Sequence, residues 1–350
     1  MNPSPLIMPN ILQRYREMLA ALEEERGDWA DPFWLRIAAQ VATTKGGSPA
    51  GIADAIRLTA ICLDSLAEWF REFASPARFV IAALLVQHDV PMRDFVIWRL
   101  RTKDALDDVG LSCDPFALTM TALILHQAPG HRPVGLHDAH RLKELHDRLK
   151  RLHRWLVGAG DIPVFAALTQ IHQSPEIIAG RIEEAYQMLL GDGLLPGHDL
   201  QTSANLLLLT GLTPLEAVSR FRDLDSTLEL FDGPIDTSLY QSIAVLAMLD
   251  HDAAHLAQRF LVLHDALAQA DADLVGTLSH TIIATDLTAL EALKADDAPA
   301  VGQPRPPAER VRALRTFQLA SLALLSQVDR GLIQAADADA DAAADWPGTP

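Results

Sequence analysis

Five predicted helix ends, at His88, His126, His172, Gly211 and His251, fall 38, 46, 39 and 40 residues apart, and this register constrains the fold more than any other feature of the chain. A proline follows each of the first four by three positions: Pro91, Pro129, Pro175 and Pro214. Proline suits the first position of a helix, where its missing N–H would lack an intrahelical partner in any case. Pro91, Pro175 and Pro214 read as helix starts, whereas Pro129 opens an insertion over residues 130–138 that accounts for the one long interval. A period of this size, with a helix stop inside it, belongs to stacked helical hairpins.

The clearest copies are GHDLQTSANLLLLTGLTPLEAVSRFRDLDSTLELFDG and PIDTSLYQSIAVLAMLDHDAAHLAQRFLVLHDALAQAD, which span residues 197–271. First helices of this kind, such as DPFALTMTALILHQAP and IPVFAALTQIHQSP, are apolar on nearly all sides and are expected to be buried. Second helices, such as PEIIAGRIEEAYQMLLGDG, carry one charged face and form the half-solvated layer. The expected fold class is all-α: α-hairpin repeats of about 38 residues, arranged as a right-handed solenoid or as a closed α/α ring.

The expected organisation has N-terminal capping helices over 1–75, with a long amphipathic helix from Pro49 to Phe73, and a repeat domain over 76–294. A Pro- and Ala-rich linker follows over 295–308, then a C-terminal capping helix over 309–335 and an acidic tail over 336–350, which its low-complexity composition marks as disordered. Apolar residues make up 49% of the chain, enough for a large core, and the net charge is −17. Such a charge repels phosphate backbones and anionic lipid, so neither nucleic acid nor a membrane is an expected partner. The N-terminus lacks the basic and apolar blocks of a secretory signal, and Cys62 and Cys113 form no close-spaced pair, so a reducing cytoplasm is the expected location.

The register puts His88, His126, His172 and His251 in one column at the turn between two helices. Imidazole there can cap free carbonyls at a helix C-terminus. Alternatively the four are candidate ligands for a divalent metal, the one cofactor this pattern brings forward. Adjacent hairpins pack about 8–10 Å apart, while zinc needs its nitrogens about 2 Å away, so only a ring whose turns converge brings the column onto one ion. His251 and His255 have the spacing of a metal helix, but Asp252 reads as an N-cap that excludes His251 from that helix. Asp104, Asp107 and Asp108 reverse the order of the acidic motif that holds magnesium and a diphosphate. Arg148, Arg181, Arg220 and Arg259 recur 12 or 13 residues before the second-helix stops and read as structural pairs, Arg181 with Glu184 and Arg220 with Asp223 among them. Phosphate-loop, dinucleotide and hydrolase-elbow motifs are absent from the sequence.

Residues 76–270, through RIEEAYQMLLGDG, HDLQTSANLLLL and SLYQSIAVLAML, resemble an uncharacterised family of bacterial all-helical proteins that carries a domain of unknown function. The resemblance implies a helical fold and transfers no activity. Two functions are expected in competition: a module that binds a protein or peptide, or acts as a scaffold, and an all-helical, metal-dependent enzyme acting on a small molecule at the rim of converging turns.

Overall fold

The computed structural model describes residues 11–24, 32–126, 134–171, 173–232, 236–270 and 277–295. Among them there are fourteen α-helices and no strand. In chain order the helices are α1 (Ile11–Glu23), α2 (Pro32–Ala42), α3 (Pro49–Asp64), α4 (Arg78–Gln87), α5 (Met92–Asp108), α6 (Pro115–His126) and α7 (Leu136–Leu152). There follow α8 (Ile162–Leu168), α9 (Pro175–Gly191), α10 (His198–Leu207), α11 (Pro214–Asp232), α12 (Tyr240–Ala247), α13 (Ala253–Ala270) and α14 (Thr277–Ala295). The linker from 296, the 309–335 helix and the 336–350 tail lie outside the described residues.

Helix starts follow the expected chemistry. Ser48 and Ser174 cap α3 and α9 just ahead of Pro49 and Pro175, each accepting from a backbone N–H of the first turn. Thr213 and Glu216 form a reciprocal box at α11: Glu216 accepts from Thr213 N at 2.9 Å and Thr213 Oγ1 accepts from Glu216 N at 3.3 Å. The expected helix over Pro49–Phe73 is shorter in the structure. It stops at Asp64, where the Ser65 hydroxyl donates to Cys62 O at 2.6 Å, and residues Arg71–Phe73 form a separate 3₁₀ turn. A hydroxyl that competes for helical carbonyls is a physical reason for that stop.

The chain divides into two compact units. Among the described residues one comprises those up to 96 with those from 222 to 295, the other residues 97–221, so α5 passes from the first to the second and α11 passes back. In the first unit α1, α2, α3 and α4 pack on one another, α14 packs on α12 and α13, and α14 also meets α1 and α2. The Gln40 amide of α2 donates to the Asp286 carboxylate of α14 across 246 residues of sequence, and both side chains are buried. In the second unit α6 packs on α8, α7 on α8 and α9, and α10 on α8 and α9. Burial separates two kinds of helix. Every residue of α8 is buried and so are ten of the twelve in α6, whereas α7 and α9 bury a single stripe of five and seven residues.

Candidate functional site

In the second unit, three second-helix side chains reach the ends of first helices. Trp98, the seventh residue of α5, stacks on the His126 ring at the end of α6, with 15° between the planes. Arg141, the sixth residue of α7, points one guanidinium nitrogen at three carbonyls beyond α8: Thr169 O at 3.3 Å, Ile171 O at 3.2 Å and Gln173 O at 2.9 Å. Arg181, the seventh residue of α9, donates to Leu212 O beyond α10 and to Gln173 Oε1 at 3.0 Å. One position near the second turn of each of these second helices thus holds the end of the following first helix. The carbonyls there have no intrahelical donor, and a guanidinium satisfies several at once. In the first unit Arg259, the seventh residue of α13, pairs with Glu291 of α14.

This geometry corrects one sequence reading and leaves Arg148 the structural pair it was expected to be. Arg181 bonds Gln173 and Leu212 rather than Glu184. Within α7 it is Arg141, not Arg148, that reaches the next turn; Arg148 pairs with Glu144 at 2.9 Å and lies 3.8 Å from Glu176. Counting from the helix start instead of its stop would have found Arg141, because the polypeptide after α7 runs through an extra turn before α8.

Among the described residues, His88, His126 and His251 of the histidine column occupy helix ends. His88 is the C-cap of α4, its N–H directed at Leu84 O, and burial, helped by the Lys45 charge, holds its imidazole below the ordinary value of 6.5. His126 closes α6 against Trp98. His251 precedes α13, whose first turn is capped by Asp252 accepting from His255 N at 2.9 Å. His172 lies outside the described residues. Among the described residues no three His, Cys, Asp or Glu side chains are grouped to hold a metal ion. The column's exception has a backbone cause: Gly211 sits at φ +75°, a left-handed conformation that glycine adopts without penalty. Asp107 of the acidic cluster pairs with Lys103 one turn earlier.

A second gathering of polar groups surrounds the start of α10. His153 Nε2 lies 2.5 Å from Glu183 Oε2 and its ring meets Tyr186 edge-on at 4.5 Å. Burial, aided by the Glu183 charge, raises the Tyr186 hydroxyl above its ordinary value, and a backbone hydrogen bond at Gly197 offsets part of the rise. His198 Nε2 is 3.5 Å from Asp161 Oδ1, and its Nδ1 is 3.0 Å from Thr202 Oγ1. His198, Gln201, Thr202 and Asn205 share one stripe of α10 by their i, i+3, i+4, i+7 spacing. The Gln201 amide donates to Asn205 Oδ1 at 3.2 Å, leaving Gln201 Oε1 and Asn205 Nδ2 buried and without a partner among the described residues. The order Asp161, His198, Thr202 has the form of a carboxylate–imidazole–hydroxyl relay. Thr202 is only 1% exposed, however, so its hydroxyl is not presented to an incoming substrate. The arrangement anchors the start of α10 to the segment before α8.

A protein-family model described as "Protein of unknown function (DUF4003)" matches residues 65–297. The chain belongs to this family. The match contains the 76–270 stretch that carried the resemblance and extends it at both ends. No curated protein and no solved structure matches the chain. In this chain the matched residues include α4 through α14. Among the described residues no helix is long and apolar enough to cross a membrane.

Proposed function

We propose that the protein is a helical-hairpin repeat module that binds an apolar segment of a protein or peptide partner. The observation that carries this reading is that the first turns of α7, α9 and α11 each expose a large apolar side chain: Leu136, Ile177 and Leu215, their first, third and second residues, 53%, 52% and 62% exposed. A lone exposed Leu needs no explanation, whereas recurrence in the first turn of successive second helices is what a docking row would use. Each is accompanied by a first-turn acid, Asp138, Glu176 or Glu216, which favours basic residues flanking the partner's apolar ones. Packed helices lie about 8–10 Å apart, and seven residues of a partner helix rise about 10 Å. A helical partner laid across the row therefore presents apolar residues at i and i+7.

The hairpin-repeat reading itself draws support from the repeated second-turn contacts at α5, α7 and α9. The test is a triple variant, L136S/I177S/L215S, compared with the control L58S/I61S, whose apolar residues are also exposed. Both should melt like the parent protein. Co-purification of a partner lost in the triple variant and kept in the control supports the row; retention in both refutes it. Zinc, iron or manganese in the purified protein, with melting lowered by chelation, would instead favour an all-helical metal-dependent enzyme using His88, His126, His172 and His251.

A further inference from the structure

The end of α7 departs from the acidic character of the chain. Lys150, Arg151 and Arg154 are exposed within five residues and none has an acidic partner among the described residues. Beside them stand Leu152, 52% exposed, and Trp155, 91% exposed, with the Arg154 guanidinium 5.6 Å from the Trp155 ring centre. Cations in the last turn of a helix favour its dipole, which accounts for Lys150 and Arg151. It accounts for neither Arg154, which lies past the helix end, nor a tryptophan left in water.

Cation and indole together fit an acidic segment that carries an aromatic residue. A long polyanion such as nucleic acid would meet the repulsion of a chain at −17, and three cations are too few to offset it. The chain itself contains a short segment of the required chemistry. Residues 335–350, AADADADAAADWPGTP, hold Asp337, Asp339, Asp341, Asp345 and Trp346 and no Lys or Arg. We infer that this segment docks on the α7 end of its own chain, its aspartates against Lys150, Arg151 and Arg154 and Trp346 against Leu152 and Trp155.

Length permits it: Ala295, the last described residue, precedes Asp337 by 42 residues, of which the expected 309–335 helix alone would span about 40 Å. Tethering sets an effective concentration in the millimolar range, so weak, salt-screened pairs suffice to keep the segment in place.

Trypsin reads the contact directly, because Arg154 lies in a turn outside the helix. In the full chain at low salt, cleavage after Arg154, followed by mass spectrometry, should run about fivefold faster in D337N/D339N/D341N/D345N than in the parent. In 0.5 M NaCl the parent should cleave at the variant's rate, with the variant itself unchanged by salt. Protection should be independent of protein concentration, and circular dichroism should be the same for both chains. Equal rates at low salt, or parental protection that survives 0.5 M NaCl, would overturn the inference. Protection that disappears on dilution would overturn its intramolecular form and assign the segment to a second copy.

Discussion

Replacing Arg141 by alanine tests whether the second-turn side chain of one hairpin holds the next. One guanidinium nitrogen is shared by three carbonyls, the shortest contact being 2.9 Å. A hydrogen bond from a charged donor contributes about 1.5–3 kcal/mol net, and a cation at a helix C-terminus adds about 0.3–1 kcal/mol. The three contacts compete for two N–H groups on a half-buried side chain, so the lower part of that range applies, about 2 kcal/mol. For a chain of 350 residues that loss lowers the melting temperature by about 3 °C. Arg148→Ala is the internal control. Its pairs with Glu144 and Glu176 are partly solvated, and exposed pairs of this kind contribute about 0–1 kcal/mol. Equilibrium urea unfolding of both variants, with slopes equal to the parent's, gives the difference directly. Arg141→Lys should recover less than half of the loss, because the Lys ammonium sits one bond short of the guanidinium nitrogen that makes all three contacts. If Arg148→Ala costs as much as Arg141→Ala, or if Arg141→Ala costs nothing, the clamp does not exist as described.

Gly211→Ala should cost about 1–2 kcal/mol by urea unfolding, since φ is +75° and nothing lies within 4 Å of an added Cβ, which leaves the backbone as the sole source of the loss. Stability should decline as pH falls below 6.5, because His88 and His146 are both held below that value chiefly by burial; the unfolded chain takes up protons first, and the loss ends only once pH passes the lower folded values. Above pH 6.5 these groups add little slope, and His146→Gln should reduce the fall of the urea midpoint between pH 7.5 and 5.5, leaving the share of His88. Gln201→Met alone should destabilise by about 1–3 kcal/mol by stranding more of the Asn205 amide, whereas Gln201→Met with Asn205→Leu should melt at or above the parent; additive losses would count against an isolated amide pair.

The elements that depend on side-chain patterning were legible in the sequence. α6 and α8 are buried on nearly every face, as apolar runs such as FALTMTALILH require, and Ser48, Ser174, Thr213 and the prolines beside them mark starts by chemistry local to the first turn. Lengths were less legible. The apolar spacing of α3 continues past Asp64, but Ser65 turns its hydroxyl onto the Cys62 carbonyl and the helix stops. Contacts between hairpins were the least legible. Arg141 and Arg148 are equivalent to any counting rule whose anchor can slide, and only the position of the carbonyls beyond α8 separates them. Nor does periodicity disclose that Gln40 and Asp286 meet, since nothing local records a contact 246 residues away. The polar stripe of α10 was within reach: His198, Gln201, Thr202 and Asn205 follow helical spacing, but the apolar run after Asn205 hid it.

The meeting of α14 with α1 and α2 also imposes an order on synthesis. The first unit takes its helices from both sides of residues 97–221, so its early part leaves the ribosome without the partners that cover Gln40. About 200 further residues separate Val96 from Ala295, which at about 5–20 residues per second is about 10–40 s of waiting. During that interval the faces of α1 and α2 that α14 will cover stay open, while residues 97–221 are complete within the emerging chain. Newly made protein is thus most exposed to proteases and holdases at its N-terminal helices, and an arrest of translation just before α14 would leave those helices permanently unfinished.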